Sequence, residues 1–329
     1  MILISPRSGS SQGGDFLILN RIEIVMNDFK VTILGNGSAV PTALHHPSSQ
    51  VVQYLGRQYL IDCGEGTQMQ MIKYKLKRKN LDHIFISHLH GDHFYGLIGI
   101  INSFHLLKRN RPLHIYASKD LESLIDFQLK ITNTKLVYPL VFHFLKENKV
   151  QVLYEDKFIT INAFPLKHTV ASWGFKFTEK EGRRRIKKPF IKDYKPTTEE
   201  IKLILEGGNY KTKDGQVLGH HEITHPPQKT RSFAYCSDTA YSESTAKYVK
   251  GVDLLYHEST FNNANRDLAN QTLHSTAQDA ARIGKKAGVR KLLIGHYSAR
   301  YKDLDELIAE ARAVFPESIV SEEGVTYEL

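Results

Sequence analysis

The chain has 329 residues, 41% of them hydrophobic, enough for one large core or two modest ones. Its mean hydropathy is -0.34, and no apolar run approaches the roughly 20 residues of a membrane span, which excludes a helical membrane protein and leaves a soluble one as the expectation. A formal net charge of +9 favours an anionic partner, nucleic acid being the commonest, although a basic protein with no such partner has the same balance.

Residues 1–25 contain a Gly/Ser-rich stretch from Ser8 to Gly14 and no signal-type segment. They are expected to be a disordered extension or a misassigned start, leaving 26–329 as the folded domain. Residues 29–34 read as a strand, and 50–55 with 58–61 as a hairpin around Gly56-Arg57. Gly64-Glu65-Gly66-Thr67 opens a helix carrying Met69, Ile72 and Leu76 at helical spacing. A strand over 81–86 is followed by a helix over 94–107 with Phe94, Leu97, Ile98 and Ile101 on one face. Further strands are expected at 113–116, 137–144, 150–153 and 158–164. In the second half, strands at 231–236, 252–256 and 291–294 alternate with helices at 275–286 and 304–314. Strands grouped with interspersed helices imply an α/β class with two packed sheets flanked by helices. One segment, about 179–219, stands apart. Lys180, Arg183, Arg184, Arg185, Lys187 and Lys188 face Glu181 alone at its start, and Pro and Gly punctuate the rest. It reads as a basic arm inserted into the domain and projecting from it. Cys63 and Cys236 are far apart, without C-x-x-C spacing, so a disulfide scaffold is excluded. Buried thiols in a reducing cytoplasm fit both.

The densest chemistry is in Ser87-His88-Leu89-His90-Gly91-Asp92-His93, where four of seven residues can bind a metal. It follows the expected strand 81–86, so the ligands sit on a loop at a strand end. His168, Asp238 and His296 also follow apolar, strand-like runs. Singly, each is an ordinary strand-end residue; together they repeat one placement. Seven ligands suit two ions, with His88, His90 and His168 on one and Asp92, His93 and His296 on the other. Asp238 would bridge them, a carboxylate having two oxygens to share. Two ions roughly 3.5–4 Å apart can clamp the attacking and leaving oxygens of a phosphodiester.

The H-x-H-x-D-H run resembles the metallo-β-lactamase superfamily. Finer matches resemble its RNase Z family: the runs from Leu34 to Pro41, Asp62 to Gln68 and Cys236 to Thr239, then His257 to Phe261, His274-Ser275-Thr276, and Gly295 to Tyr301. They follow the family's order over about residues 29–301. The resemblance implies a four-layer αβ/βα sandwich with two Zn²⁺ per subunit between the sheets. It implies endonucleolytic cleavage of precursor tRNA after the discriminator base. It also implies a homodimer in which one subunit's arm reaches the other's substrate. The His/Asp donors also accept Mn²⁺ or Fe²⁺.

His274 matches the family's catalytic histidine and would protonate the leaving oxygen; its ordinary alternative is a residue near a helix cap at Ser275. Asp92 would double as ligand and general base. Glu258 would orient His274 or a ligand, and Asp62 would brace a ligand histidine, each against a purely structural alternative. Arg300 would grip a phosphate, against a surface salt bridge. Arg183, Arg184, Arg185, Lys187 and Lys188 would bind the tRNA body, at the position of the family's substrate arm. Two features depart from the family. Pro41-Thr42-Ala43-Leu44-His45-His46 stands where a P-x-K-x-R-N loop is common, and the arm lacks a Gly-Pro-rich element. Both bear on handling of the substrate 3′ end. Two other readings remain open at this stage: a small-molecule phosphodiesterase or related hydrolase of the same superfamily, and an RNA-binding protein with structural metals.

Overall fold

In β1 (Phe29–Gly35), Phe29, Val31 and Ile33 turn one way and Leu34 the other, the period of two that a pleated strand imposes. Both sets are buried, so this strand is covered on both faces. The computed structural model describes residues 28–182 and 184–329 and repeats that pattern through two sheets. The first half continues with β2 (Ser49–Tyr54), β3 (Arg57–Ile61), α1 (Thr67–Lys73), β4 (Leu81–Phe85), α2 (Leu97–Leu106), β5 (Leu113–Ala117), α3 (Lys119–Ile131) and β6 (Leu140–Phe144). The second half begins with β7 (Gln151–Glu155), β8 (Ile159–Leu166) and β9 (Ser172–Glu179). Helices α4 (Lys188–Tyr194) and α5 (Thr198–Leu205) of the insertion follow. The chain then forms β10 (Ser232–Cys236), α6 (Glu243–Tyr248), β11 (Leu254–Glu258), α7 (Ala277–Ala287), β12 (Lys291–Gly295), α8 (Asp305–Val314), β13 (Ser318–Val320) and β14 (Thr326–Glu328).

The sheets have matching seven-strand orders, β14-β1-β2-β3-β4-β5-β6 and β13-β12-β11-β10-β9-β8-β7. Three apolar layers hold them. Phe85, Tyr116, Ile161, Phe175, Phe177 and Tyr256 meet between the sheets. Met71, Leu97, Ile101 and Leu121 pack α1, α2 and α3 on the first sheet's outer face. Ala246, Ala280, Ile283 and Leu307 pack α6, α7 and α8 on the second sheet. The result is the four-layer αβ/βα sandwich.

Strands β3 to β6 are mutually parallel, as are β10 to β13, while β9 opposes both β8 and β10. The C-terminal ends of β4, β8, β10 and β12 therefore lie at one end of the molecule, the end at which ligand sites of open α/β sheets form. The insertion between β9 and β10 leaves from the opposite end, where Glu179 pairs with Ile159. It has a small core of its own, Phe190, Ile204, Tyr210 and Ile223. No described helix is long and apolar enough to cross a membrane.

Several local expectations differ. The helix over 94–107 is two pieces, Gly91–Phe94 and Leu97–Leu106. The Gly96 N–H donates to Cys63 O, and a Cβ at Gly96 would lie 2.2 Å from Gly64 O, so the chain turns there against the neighbouring loop. Helix α1 ends at Lys73, short of Leu76. Its Met69 and Ile72 are 67% and 52% exposed, while Gln70 and Met71 face inward. The cause is polar: Gln70 Nε2 donates to Leu34 O and to Glu323, which fixes the helix's rotation. Helix α7 is capped by Thr276, in a box with Asp279, and not by Ser275. The Ser275 hydroxyl is taken by Thr239 O at 2.6 Å. Residues 1–25 lie outside the described residues.

Candidate metal centre

Seven side chains converge where the four strand ends meet. His88, His90, Asp92 and His93 come from the loop after β4. His168 follows β8, Asp238 follows β10 and His296 follows β12. The loop after β4 sits against bare backbone: Cys63 N–H donates to His93 O at 2.7 Å, and a Cβ on Gly64 would lie 2.4 Å from Asp92 O. His296 takes the left-handed φ of 60°, a cost that persists only where the surroundings fix the residue.

The donor atoms fall into two groups that share Asp238. In one, His90 Nδ1 is 3.0 Å from His88 Nε2 and 3.2 Å from His168 Nε2. Asp238 Oδ2 lies 3.5 Å from the first of these Nε2 atoms and 3.8 Å from the second. In the other, His93 Nε2 is 3.4 Å from Asp92 Oδ2 and from Asp238 Oδ1. His296 Nε2 is 3.4 Å from Asp92 Oδ2 and 3.1 Å from Asp238 Oδ1. Donors 2.0–2.1 Å from a tetrahedral ion stand about 3.3 Å apart, the spacing seen in both groups. His93 Nε2, His296 Nε2 and Asp238 Oδ1 are buried with no hydrogen-bond partner, a costly arrangement unless a cation takes their lone pairs. The residues fit a divalent-metal site.

Outer partners fix which ring nitrogen faces inward. Asp62, fully buried, accepts His93 Nδ1–H at 2.8 Å, Tyr235 OH at 2.7 Å, and the Ser87 N–H and hydroxyl at 2.7 and 2.8 Å. His168 Nδ1–H donates to Leu273 O at 3.0 Å. The Thr260 hydroxyl donates to Glu258 Oε2 at 2.8 Å and so accepts His296 Nδ1–H at 2.8 Å. In the neutral ring each Nε2 is thereby left unprotonated and free to bind a cation. Ala39 N–H donates to Asp92 Oδ2 at 2.8 Å.

The charges pull in opposite directions. Burial resists ionisation of Asp92 and Asp238, but the surrounding imidazoles outweigh it and hold both carboxyls well below the usual range. Burial and neighbouring rings push His88 well below its ordinary pKa. Burial also disfavours a charged His93, yet Asp238, Asp92 and Asp62 outweigh it and push that ring well above. The same pull that would hold a proton on His93 Nε2 would hold a cation there.

His274 lies beside these groups. Its Nδ1–H donates to Glu258 Oε1 at 2.9 Å, and its Nε2 is 4.0 Å from Asp238 Oδ2. Burial opposes its charge, but Glu258 and then Asp238 raise its pKa to about 9. Glu258 thus touches His274 directly and His296 through Thr260. Arg300 spans Ser298 Oγ at 2.9 Å and Asn265 Oδ1 at 3.2 Å, 5.0 Å from the Phe261 ring centre, with no carboxylate partner among the described residues. Arg184, Arg185, Lys187 and Lys188 lie in the insertion, whose root is at the other end of the sandwich. Arg184 donates to Thr224 and Lys187 to Glu222 O. Arg183 lies outside the described residues. Tyr235, Thr260, Leu273 and Ala39 are contributors that sequence reasoning missed; Thr260, inside the His257 to Phe261 run, and Ala39, inside the Leu34 to Pro41 run, had a signal there. Cys63 and Cys236 are free and buried, and burial raises both thiols.

Residues 29–180 match the family described as anti-Pycsar protein Apyc1. Over 304 residues, 92% of this chain and 100% of the relative, the sequence is 44% identical to ribonuclease Z of Bacteroides fragilis. It is 42% identical over the same shares to ribonuclease Z of Porphyromonas gingivalis. Human tRNase Z, short form, superposes with a TM-score of 0.68 at 27% identity, covering 91% of this chain and 98% of that one. A metallo-β-lactamase fold protein of Bacillus subtilis superposes with a TM-score of 0.64 at 20% identity, covering 92% and 99%, a likeness of fold alone. Architecture and donor set together make this a metallo-β-lactamase-fold hydrolase. Identity above 40% across nearly the whole length narrows the class: the chain belongs to the ribonuclease Z family and is a ribonuclease.

Proposed function

We propose that the protein is a zinc-dependent endoribonuclease that cleaves precursor tRNA 3′ of the discriminator base and leaves a 3′-hydroxyl on the tRNA. One observation carries the reading. In a chain of this family, two donor groups sharing Asp238 lie beside a proton-bearing His274 that neither group of four needs. Such a histidine has no purpose in a structural metal site.

Two Zn²⁺ would be held by His88, His90, His168 and Asp238, and by Asp92, His93, His296 and Asp238; Mn²⁺ or Fe²⁺ also suits these donors. When bound, such ions polarise a phosphodiester and acidify the attacking water. The chain's own residues move the protons. His274, anchored on Glu258, carries its proton on Nε2 at neutral pH. A cation on Asp238 would remove that residue's share of the upward push and leave the share made through the direct Glu258 bond. As the bond from phosphorus to the tRNA 3′ oxygen breaks, that oxygen takes the His274 proton. Water supplies the oxygen of the new bond to phosphorus and gives its proton to Asp92. Asp92 then releases it to solvent. The products are a tRNA 3′-hydroxyl and a trailer 5′-phosphate.

Arg300, oriented by neutral groups, would hold a phosphate near the cleaved bond. Arg183, Arg184, Arg185, Lys187 and Lys188 would hold the tRNA body. An arm rooted at the end away from the metals supports a homodimer in which it serves the partner's centre. Two free buried thiols support a cytoplasmic location. The deciding experiment incubates the purified protein with precursor tRNA, with and without chelator. Chelator-sensitive release of the trailer with a ligatable tRNA 3′-hydroxyl is expected. Turnover of small phosphodiesters alone, with precursor tRNA untouched, would overturn the reading in favour of a small-molecule phosphodiesterase.

A further inference from the structure

A second concentration of positive charge lies outside both the centre and the arm. Helix α1 starts at the metal end and descends to the opposite end, where β4 begins. In that descent Lys73, Lys75, Lys77, Arg78 and Lys79 fall within residues 73–79 with no acidic residue among them. The turn after α2 brings Lys108, Arg109 and Arg111 alongside. Arg109 donates to Leu81 O at 3.0 Å and to Asp82 Oδ1 at 2.6 Å. Arg111 reaches the same Asp82 oxygen at 3.0 Å and also donates to Lys79 O. Eight cations therefore share one carboxylate. None of Lys73, Lys75, Lys77, Arg78, Lys79 and Lys108 has a carboxylate within 4 Å among the described residues. Beside them opens a cleft of about 320 Å³, bordered by Arg57, Asn80, His83, Arg111 and Tyr154.

Clustered like charges destabilise a folded chain by self-repulsion, and Lys73, Lys75, Lys77, Arg78, Lys79 and Lys108 make no offsetting ion pair among the described residues. The patch is not a membrane-binding amphipathic helix: the run is a helix end, a turn and the short 3₁₀ helix Arg78–Asn80. Exposed Lys and Arg on flexible stems, with no base-reading element beside them, suit the phosphates of a nucleic-acid backbone. The eight residues from Asn80 to His88 span at most about 26 Å at 3.3 Å per residue. Strand β4 thus separates the patch from the loop that carries His88, a placement that suits the helical body of a folded RNA. We infer that Lys73, Lys75, Lys77, Arg78, Lys79 and Lys108 form a second docking surface, independent of the arm, for the backbone of double-helical RNA. The inference rests on the RNA-processing reading above and extends it to a surface that reading does not use.

The test is the triple variant Lys75→Gln, Lys77→Gln, Arg78→Gln in the full chain loaded with zinc. Its KM for precursor tRNA should rise about tenfold at physiological salt with kcat unchanged. The slope of log affinity against log salt should become shallower by roughly 2–3, about one for each phosphate that is no longer neutralised. Hydrolysis of bis(p-nitrophenyl) phosphate should not change. The charge-preserving triple Lys75→Arg, Lys77→Arg, Arg78→Lys should behave as wild type. An unchanged KM and salt slope in the Gln triple, or an equal rise in KM in the charge-preserving triple, would overturn the inference. If the wild type fails to cleave precursor tRNA, the proposed function fails. The docking surface is then judged by fluorescence anisotropy with a labelled RNA hairpin, where equal Kd for wild type and Gln triple overturns it.

Discussion

Asp62→Asn removes one negative charge from beneath His93 with little change of shape. Asp62 has a φ of 54°, a left-handed conformation that Asn tolerates well, so the backbone accepts the change. With its oxygen in the Oδ2 position, the Asn still accepts from His93 Nδ1, Tyr235 OH and Ser87 Oγ. Its amide then faces Ser87 N–H, which at present donates to Oδ1 at 2.7 Å. One buried donor is left unmatched, costing about 1–3 kcal/mol and lowering Tm by a few degrees. The greater effect is electrostatic. A neutral partner makes His93 a weaker donor, and losing such a partner weakens metal binding about 10–100-fold, or about 1.4–2.8 kcal/mol. The ion at Asp92, His93 and His296 should be affected most, because Asp62 bonds His93 directly, reaches His88 only through the Ser87 hydroxyl, and bonds neither His90 nor His168. The assay is a chelator titration of the loaded protein, following release of the two ions proposed above. Wild type and variant should differ mainly at one release step. Coincident titrations would refute the bracing role, and equal weakening of both steps would show that the ions are not separately held.

His274→Ala should lower kcat on precursor tRNA by about 10²–10⁴-fold while the chelator titration stays as in wild type; loss of an ion in that variant would make His274 a ligand instead. Glu323→Ala should cost about 1–3 kcal/mol in urea unfolding, because Glu323 binds the His46 ring and Gln70, each at 2.8 Å, and so ties the 39–47 loop that carries Ala39 to helix α1. An unchanged midpoint would show the loop to be held elsewhere. Acid stability tests His83, whose pKa burial and the neighbouring His114 ring lower to about 4. The unfolded chain takes up that proton first, near pH 6.5, so stability is whole above pH 6.5 and falls as pH drops towards 4, by up to about 3 kcal/mol from this residue. Urea unfolding of metal-stripped protein between pH 7 and 4.5 should show a shallower loss for His83→Gln; parallel curves would refute it.

The ligands were legible because His88, His168, Asp238 and His296 each lie one to three residues beyond an apolar strand, with His90, Asp92 and His93 clustered just after His88, and such strands announce themselves by β-branched and aromatic runs. Their partners were not. Thr260 reaches His296 because β11 and β12 are parallel neighbours, with Glu258 opposite Gly295. Tyr235 reaches Asp62 only when one sheet packs on the other. No local pattern encodes either fact. Strand β9 was missed although Trp173, Phe175 and Phe177 alternate along it, and α3 was missed although its Leu121 and Ile125 lie one helical turn apart. The outward turn of Met69 and Ile72 was unreadable for a further reason. Periodicity finds an apolar stripe, but Gln70's bonds to Leu34 O and Glu323 decide which face turns inward.

The charge within the centre bears on how many ions it holds. Asp62 and Glu258 are fully buried, Asp238 is 2% exposed, and the Asp92 side chain is 9% exposed. Four carboxylates in one buried region carry four negative charges, an arrangement that would be far too costly without compensation. Protonating His93 and His274 supplies two positive charges, while burial and its neighbours keep His88 neutral. Two dications supply four and leave every ligand imidazole in the neutral form that binds metal. A single dication would leave Asp92 or one oxygen of Asp238 uncompensated beside His296 Nε2, which has no other partner. Each ion would also draw donors from both sheets, the loop after β4 on one side and the ends of β8, β10 or β12 on the other. Asp62–Tyr235 and Ser87–Ser237 already cross that seam. The charge balance and the paired donor spacings both support two ions that also join the halves of the sandwich.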